Sequence, residues 1–286
     1  MGWRPRARHW WAAGIVISVI VASLAVAALR GEKPDLRGVA ASPSPAASTP
    51  APSPSPSVPA AAKPPKDLPV IAYLKPLPRG FPVDPTPQST ALVSKVLRPN
   101  RTLAVYDAPG GRPRAYLPRV ISGALVALPI IKEESGWTAV LMPSANRTLG
   151  WLPPAGWSTA VTLDQLILHR KAHRLEWTRG GVPEGSWKVS IGAPSEPTPL
   201  GRTFVFGRST LPGEVYAGLD VLALGAVPDD PDAVPAGLRG AHIGIHSWYQ
   251  NTFGGNSSDG CVHVPPEGQK ALLKALIPGT GVVVLP

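Results

Sequence analysis

From Ala41 to Pro65 the chain is almost wholly alanine, proline and serine, with Thr49, Val58 and Lys63 the only other residues. Such a tract cannot bury a core and stays extended in polyproline-like conformations. The folded mass must therefore lie elsewhere. At ~3.1 Å per residue, the stretch from Gly31 to Leu68 reaches on the order of 100 Å, the dimensions of a stalk. Residues Lys66 to Arg98 remain proline-rich and read as connector.

Upstream of the tract, Trp10 to Leu29 is an apolar run in which Ser18 and Ser23 are the only polar members. Twenty such residues suffice for a helix across a bilayer. Arg4, Arg6 and Arg8 precede the run, and Trp10 and Trp11 stand where interfacial aromatics belong. An uncleaved membrane anchor is the expectation on length. Cleavage after Ala25-Val26-Ala27, giving a secreted protein, is the alternative. The formal net charge is +10, of which the first forty residues supply +4. A positive charge spread over the rest suits an anionic wall or membrane surface. No basic tract interleaved with aromatics is present, so nucleic acid is not an expected partner.

Beyond Arg98 the pattern is that of short strands between Gly, Pro and Asn turns. Expected strands are Leu103–Tyr106, Leu125–Ile131, Gly136–Leu141 and Leu149–Leu152. Further strands are expected at Leu166–His169, Arg174–Trp177, Trp187–Ile191, Thr203–Phe206, Ala241–His246 and Gly281–Leu285. One short helix is expected, opened by Pro265-Pro266, apolar at Leu272, Leu273, Leu276 and Ile277, and closed by Pro278-Gly279. The fold class is mainly β, with about 125 residues in the C-terminal half.

The single cysteine lies in Ser257-Ser258-Asp259-Gly260-Cys261-Val262-His263, and His246-Ser247 lies fifteen residues upstream. A thiol attacks as thiolate and needs a base or positive charge nearby. It also needs backbone N–H groups aimed at a developing oxyanion. Gly260 permits a tight turn that points the Cys261 N–H, with its own, into the site. His246 is the natural base, and the carbonyl or hydroxyl of Ser247 is placed to set its tautomer. Zinc is the rival chemistry, with His242, His246, Cys261 and His263 as ligands. On a strand, however, His242 and His246 stand about 13 Å apart, too far for one tetrahedral site. A buried, inert cysteine is the remaining reading. Nothing in the sequence calls for a metal or organic cofactor.

The order His246, Ser258-Asp259-Gly260-Cys261-Val262 resembles the signature of the L,D-transpeptidases with a YkuD-type catalytic domain. Ser190-Ile-Gly-Ala, Pro197-Thr-Pro-Leu-Gly-Arg202 and Gly279-Thr-Gly-Val-Val-Val284 fit the same family in order, over about Val161 to Pro286. Gly136-Trp137 and Gly150-Trp151 resemble bacterial SH3-like modules, with core packing the simplest role for both tryptophans. Together these imply an anchor or signal (1–30), a stalk and connector (31–98), an SH3-like β module (99–158) and a YkuD-type β-sandwich with one short helix (161–286).

The resemblance implies acyl transfer on peptidoglycan stem peptides. Cys261 would attack the amide between the third stem residue and the D-Ala that follows it, releasing that D-Ala. A neighbouring amine would then resolve the thioester into a 3→3 cross-link, with water giving carboxypeptidase activity instead. His246 would move protons, Ser247 would orient it and Gly260 would supply oxyanion backbone. Ser258, Asp259, His263, Trp248 and Tyr249 would border the substrate, although packing is the simpler role for the last two. Two positions depart from the family pattern. Asp259 stands where histidine is common, and His263 where arginine or asparagine is usual. The first adds a negative charge near the thiol, and the second withholds a permanent positive one. His263 compensates only if protonated, near or below pH ~6.5 when unperturbed. A catalytically weak or inactive wall-binding protein is the alternative those two changes raise.

Overall fold

The computed structural model describes residues 57–286, apart from 74, 145–146, 211–215, 227–242 and 251. The apolar run 10–29, the tract upstream of Ser57 and His242 lie outside the described residues. Among the described residues no helix is long and apolar enough to cross a membrane.

The fold is mainly β. Its first part contains β1 (Lys95–Pro99), β2 (Leu103–Tyr106), β3 (Pro113–Leu117), the small hairpin β4 (Val120–Ile121) and β5 (Ala124–Leu125), then β6 (Leu128–Glu134), β7 (Trp137–Leu141), β8 (Leu149–Leu152) and β9 (Trp157–Val161). Seven of these form one sheet in the order β3-β2-β8-β7-β6-β1-β9. The expected strand 125–131 divides because the Val126 N–H bonds to the Arg119 carbonyl and closes the β4–β5 hairpin. The ladder resumes only at Leu128.

The second part contains β10 (Asp164–His169), β11 (Arg174–Arg179), β12 (Val182–Lys188), β13 (Ile191–Gly192), β14 (Gly201–Ser209), β15 (Val221–Leu224), β16 (Gly244–His246), β17 (Asn256–Ser258), β18 (Val262–His263), the helix α1 (Pro266–Ala275) and β19 (Gly281–Leu285). Eight strands form a sheet in the order β12-β11-β10-β19-β14-β15-β16-β18, and β13 pairs with β17 separately. β19 runs parallel to β10 and antiparallel to β14 in the sheet centre. Buried on both faces, it reads Gly-Val-Val-Val-Leu without alternation. The expected strand Trp187–Ile191 also divides. β12 ends at Lys188, and Ser190 leaves its sheet to bridge His263.

α1 starts with Pro266 at its first turn, where a missing N–H costs nothing. It ends two residues short of the expectation because Leu276 turns extended, with φ −81° and ψ 141°. Leu272 and Leu276 pack into a core with Leu166, Leu168, Val205, Ile245 and Val282.

The opposite face of the eight-stranded sheet meets a second core. Phe204 and Phe206 of β14 join Leu97, Leu117, Leu128, Val140, Leu141 and Leu152 there. The connector also contributes, through Ile71, Tyr73, Leu77 and Phe81. Residues 66–98 therefore supply strand β1 and a line of core side chains as well as linking length. Proline spacing hid this, because apolar anchors in irregular chain show neither a 2- nor a 3.6-residue period.

One polar contact fixes the connector on the sheet. Arg202 Nε stands 3.2 Å from Asp84 Oδ2, and both side chains are almost wholly buried. Arg202 Nη2 also donates to the Thr86 carbonyl at 2.6 Å and to Thr86 Oγ1 at 2.9 Å. Removing one member of such a pair leaves a buried uncompensated charge. Asp84→Ala should therefore cost about 3–5 kcal/mol, read as a lower denaturant midpoint with unchanged slope. A shift below ~1 kcal/mol would show that the connector is held by packing alone.

Candidate active site

The cysteine and the histidines come together at the β18 edge of the eight-stranded sheet. β16 and β18 run parallel, with Ile245 opposite Val262 and His246 opposite His263. Register partners share a face, and residues two apart on a strand share it too. One step back along the ladder, Cys261 faces Gly244, whose backbone favours the thiolate form. Cys261, His246 and His263 therefore occupy one face, with the thiol diagonal to His246. Gly244 leaves the space beside the thiol without a side chain. A Cβ there would lie 2.6 Å from Val221 Cγ1.

His246 Nδ1 is 2.8 Å from the Ser247 carbonyl oxygen, so Nδ1–H donates and Nε2 is left to accept. The Ser247 carbonyl orients the ring. Its hydroxyl is buried and makes no hydrogen bond. Around the ring, His263 lies at 4.8 Å between centroids, Tyr216 meets it edge-on at 4.8 Å, and Trp248 stands at 5.9 Å. Trp248 stacks on His263 at 5.1 Å with planes 13° apart. Trp248 thus packs on the histidine pair, while Tyr249 leans on it from outside and is mostly exposed. Tyr216 was not singled out from the sequence. A lone tyrosine in a loop carries no motif.

The cysteine loop is held by the two upstream motifs. The Ala193 N–H donates to the Ser258 carbonyl at 2.7 Å, and the Ile191 N–H to the Gly255 carbonyl at 3.1 Å. Thr198 Oγ1 accepts from the Gly192 N–H at 3.0 Å and donates to the Gly260 carbonyl at 2.9 Å. Ser258 Oγ donates to the Cys261 carbonyl at 2.5 Å, so its hydroxyl is spent inside the turn. Gly260 has φ +94°, a left-handed conformation that favours glycine. No cis peptide is present among the described residues, so fixing the Gly260 carbonyl on Thr198 aims the Cys261 N–H the opposite way. Thr198 is the site's missed residue. Its signal was present in Pro197-Thr-Pro-Leu-Gly, but a role for its hydroxyl needed the loop that it touches.

Electrostatics make the resting site neutral. Burial is the main influence pushing the Cys261 thiol up; the Gly244 backbone bond opposes it and the exposed Asp259 adds to it. Burial pushes His246 down, against the Ser247 hydrogen bond. His263 is pushed down to about 4, by burial first and by its neighbour His246 second. His263 therefore does not meet the condition, a protonated ring, under which it would stand in for the family's arginine. Near neutral pH, His263 is uncharged, because a second imidazole and a tryptophan face surround it where solvent would be needed.

Residues 164–284 match the family model for YkuD, described as the L,D-transpeptidase catalytic domain. The C-terminal part of the chain carries an L,D-transpeptidase catalytic domain of the YkuD type. The YkuD match begins at the first residue of β10 and ends within β19, so it spans the whole eight-stranded sheet. No curated protein matches the chain. Among solved structures, an L,D-transpeptidase from Mycobacterium smegmatis is similar at 18% identity, over 56% of this chain and 82% of that one, with TM-score 0.36. L,D-transpeptidase 3 from Mycobacterium tuberculosis is similar at 16% identity, over 49% and 75%, with TM-score 0.35. The catalytic domain of the L,D-transpeptidase from E. faecium is similar at 23%, over 43% and 96%, with TM-score 0.31.

The buried histidines tie stability to pH. His263 has a folded value near 4, below the unfolded ~6.5. The unfolded chain therefore binds the extra proton between those values, and stability falls as pH drops from 6.5 to 4. The loss attributable to His263 is up to roughly 3 kcal/mol. Denaturant titrations at pH 7, 5.5 and 4 should show it, and His263→Asn should flatten much of the slope. An unchanged slope in that variant would contradict the assignment.

Proposed function

We propose that this protein is a peptidoglycan L,D-transpeptidase acting through a Cys261 thioester. The observation that carries the reading is the shared face of Cys261 and His246, with the Gly260 carbonyl fixed behind it. The substrate would be a stem tetrapeptide. His246 Nε2 takes the thiol proton as Sγ attacks the carbonyl before the terminal D-Ala. The oxyanion forms near the Cys261 N–H. When the carbon–nitrogen bond breaks, the proton passes from His246 to the departing D-Ala amine. The side-chain amine of a second stem then attacks the thioester. It loses its proton through His246, and the thiol is restored as the 3→3 cross-link forms. Water in the acceptor's place would give a carboxypeptidase.

The neutral resting site shapes this chemistry. A thiol pushed up beside a histidine pushed down does not store a thiolate–imidazolium pair. Deprotonation belongs to the attack itself, which needs His246 within reach of Sγ as substrate fills the face. The same feature favours a second reading, a wall-binding protein with weak catalysis, because Asp259 and a neutral His263 leave the thiol without positive support. Alkylation separates the two states of the thiol. The rate of Cys261 modification by iodoacetamide should keep rising with pH through 9, the ordinary value for the group. A plateau reached below neutrality would show a preformed thiolate.

In this reading the run 10–29 anchors the protein in the cell membrane, or is cleaved to secrete it. The stretch 31–56 spaces the body from the membrane, and residues 99–158 form an SH3-like module. The YkuD-type domain then works outside the cytoplasm on the wall. The deciding experiment gives the purified protein a tetrapeptide stem and follows D-Ala release and cross-linked dimer. Cys261→Ala should abolish both. Thr198→Val, which keeps the shape but frees the Gly260 carbonyl, should lower kcat by roughly tenfold to a hundredfold with little change in KM. Release by Cys261→Ala equal to that of the parent would contradict the proposal.

A further inference from the structure

The seven-stranded sheet has an aromatic row on the face away from its main core. Tyr106 of β2 pairs with Trp151 of β8, which pairs with Ala139 of β7. Trp137 lies two residues before Ala139 and meets Tyr106 edge to face at 5.0 Å. These side chains form their own cluster, separate from the core shared with β14. Yet Trp137 is fully buried, and Tyr106 and Trp151 nearly so.

The end of the Ala/Pro/Ser tract lies on this face. Trp137 Nε1 donates to the Pro59 carbonyl at 2.9 Å. The Tyr106 hydroxyl donates to the Ala62 carbonyl at 2.7 Å, and the Tyr116 hydroxyl of β3 to the Pro65 carbonyl at 2.9 Å. The three acceptors are three residues apart. On a β-strand, positions three apart face opposite sides. A polyproline II helix has three residues per turn and no internal hydrogen bonds, so every third carbonyl points the same way and is free to accept. Length agrees. Pro59 to Pro65 spans ~19 Å as polyproline II but only ~9 Å as an α-helix. The donors sit on β7, β2 and β3, three inter-strand steps or ~14 Å apart across the sheet. Two glycines let the segment close in. A Cβ on Gly136 would lie 2.8 Å from Val58 Cγ2, and one on Gly110 2.8 Å from Pro59 Cβ.

We propose that this aromatic face is a polyproline II-binding groove whose resident ligand is the chain's own segment 57–65. Recognition runs through backbone carbonyls and small apolar side chains, the chemistry by which aromatic grooves hold preformed polyproline II. The groove therefore fits the composition of the tract. It clamps the base of the stalk to the folded body and takes about 28 Å of extended chain out of the free tether. It does so independently of what the Cys261 site catalyses.

The test follows the indole N–H signals of the full chain by NMR with labelled tryptophan. In the parent, the Trp137 indole proton should exchange slowly. Replacing residues 57–65 by a Gly/Ser segment of equal length should speed that exchange at least tenfold and shift the signal, with the fold retained by circular dichroism. A synthetic peptide of residues 57–66 should restore the shift saturably in that variant. Tyr106→Phe in the same background should weaken the peptide about fivefold, the effect of one hydrogen bond. Unchanged Trp137 exchange in the Gly/Ser variant would overturn the proposal. Protection in the parent that disappears on dilution would overturn the intrachain occupant in favour of a second copy.

Discussion

Phe204 and Phe206 point into one core while Val205, between them, points into the other. β14 is thus held from both faces, and its length of nine residues gives it a register that cannot slip without moving both cores. Much else follows from that hold. β14 pairs with β19 on one side and β15 on the other. β15 pairs with β16, which carries His246, and β16 with β18, which follows directly on Cys261. His246 is two strands and Cys261 three strands removed from a doubly buried element, so their backbone positions are set by packing. Gln269 of α1 adds to this from the helix side, donating to the Ile245 carbonyl at 3.1 Å.

On that frame the loop residues need only small adjustments to face one another. Thr198 joins Gly192 to Gly260 with one hydroxyl, and Ser258 closes its own turn on the Cys261 carbonyl. The Ser247 carbonyl holds the His246 ring. Each of these bonds constrains direction more than it adds stability, since a single neutral hydrogen bond contributes about 1 kcal/mol net. Their effect is to fix the Cys261 turn and the His246 ring at the β18 edge of the sheet. The histidine pair and Trp248 keep that edge dry, which is why the thiol is pushed up and both imidazoles down.

Strands with plain alternation or dense β-branching were legible from sequence. β2, β8 and β19 fall on their expected residues, because apolar side chains with turn residues at both ends leave few alternatives. Motif order also put Cys261 and His246 forward as a candidate pair, and the β16–β18 ladder brings their segments side by side. Less visible was whatever depends on chain meeting chain at long range. Ile71, Tyr73, Leu77 and Phe81 sit in irregular backbone, so their burial has no local signature. β18 has two residues and exists only through β16 and the Ser190 bridge. The charge state of His263 depends on His246 and Trp248 lying against it, which spacing along the chain does not reveal.

The central claim is that Cys261 is a nucleophile that forms an acyl-enzyme despite its neutral surroundings. Incubating the protein with a carbapenem and reading its intact mass tests this directly, since ring opening by a thiol adds the whole inhibitor to one residue. The account predicts a single adduct, mapped to Cys261 by peptide sequencing and lost in His246→Ala as well as in Cys261→Ala. A protein that keeps its unmodified mass while free thiol reagents still reach Cys261 would contradict it.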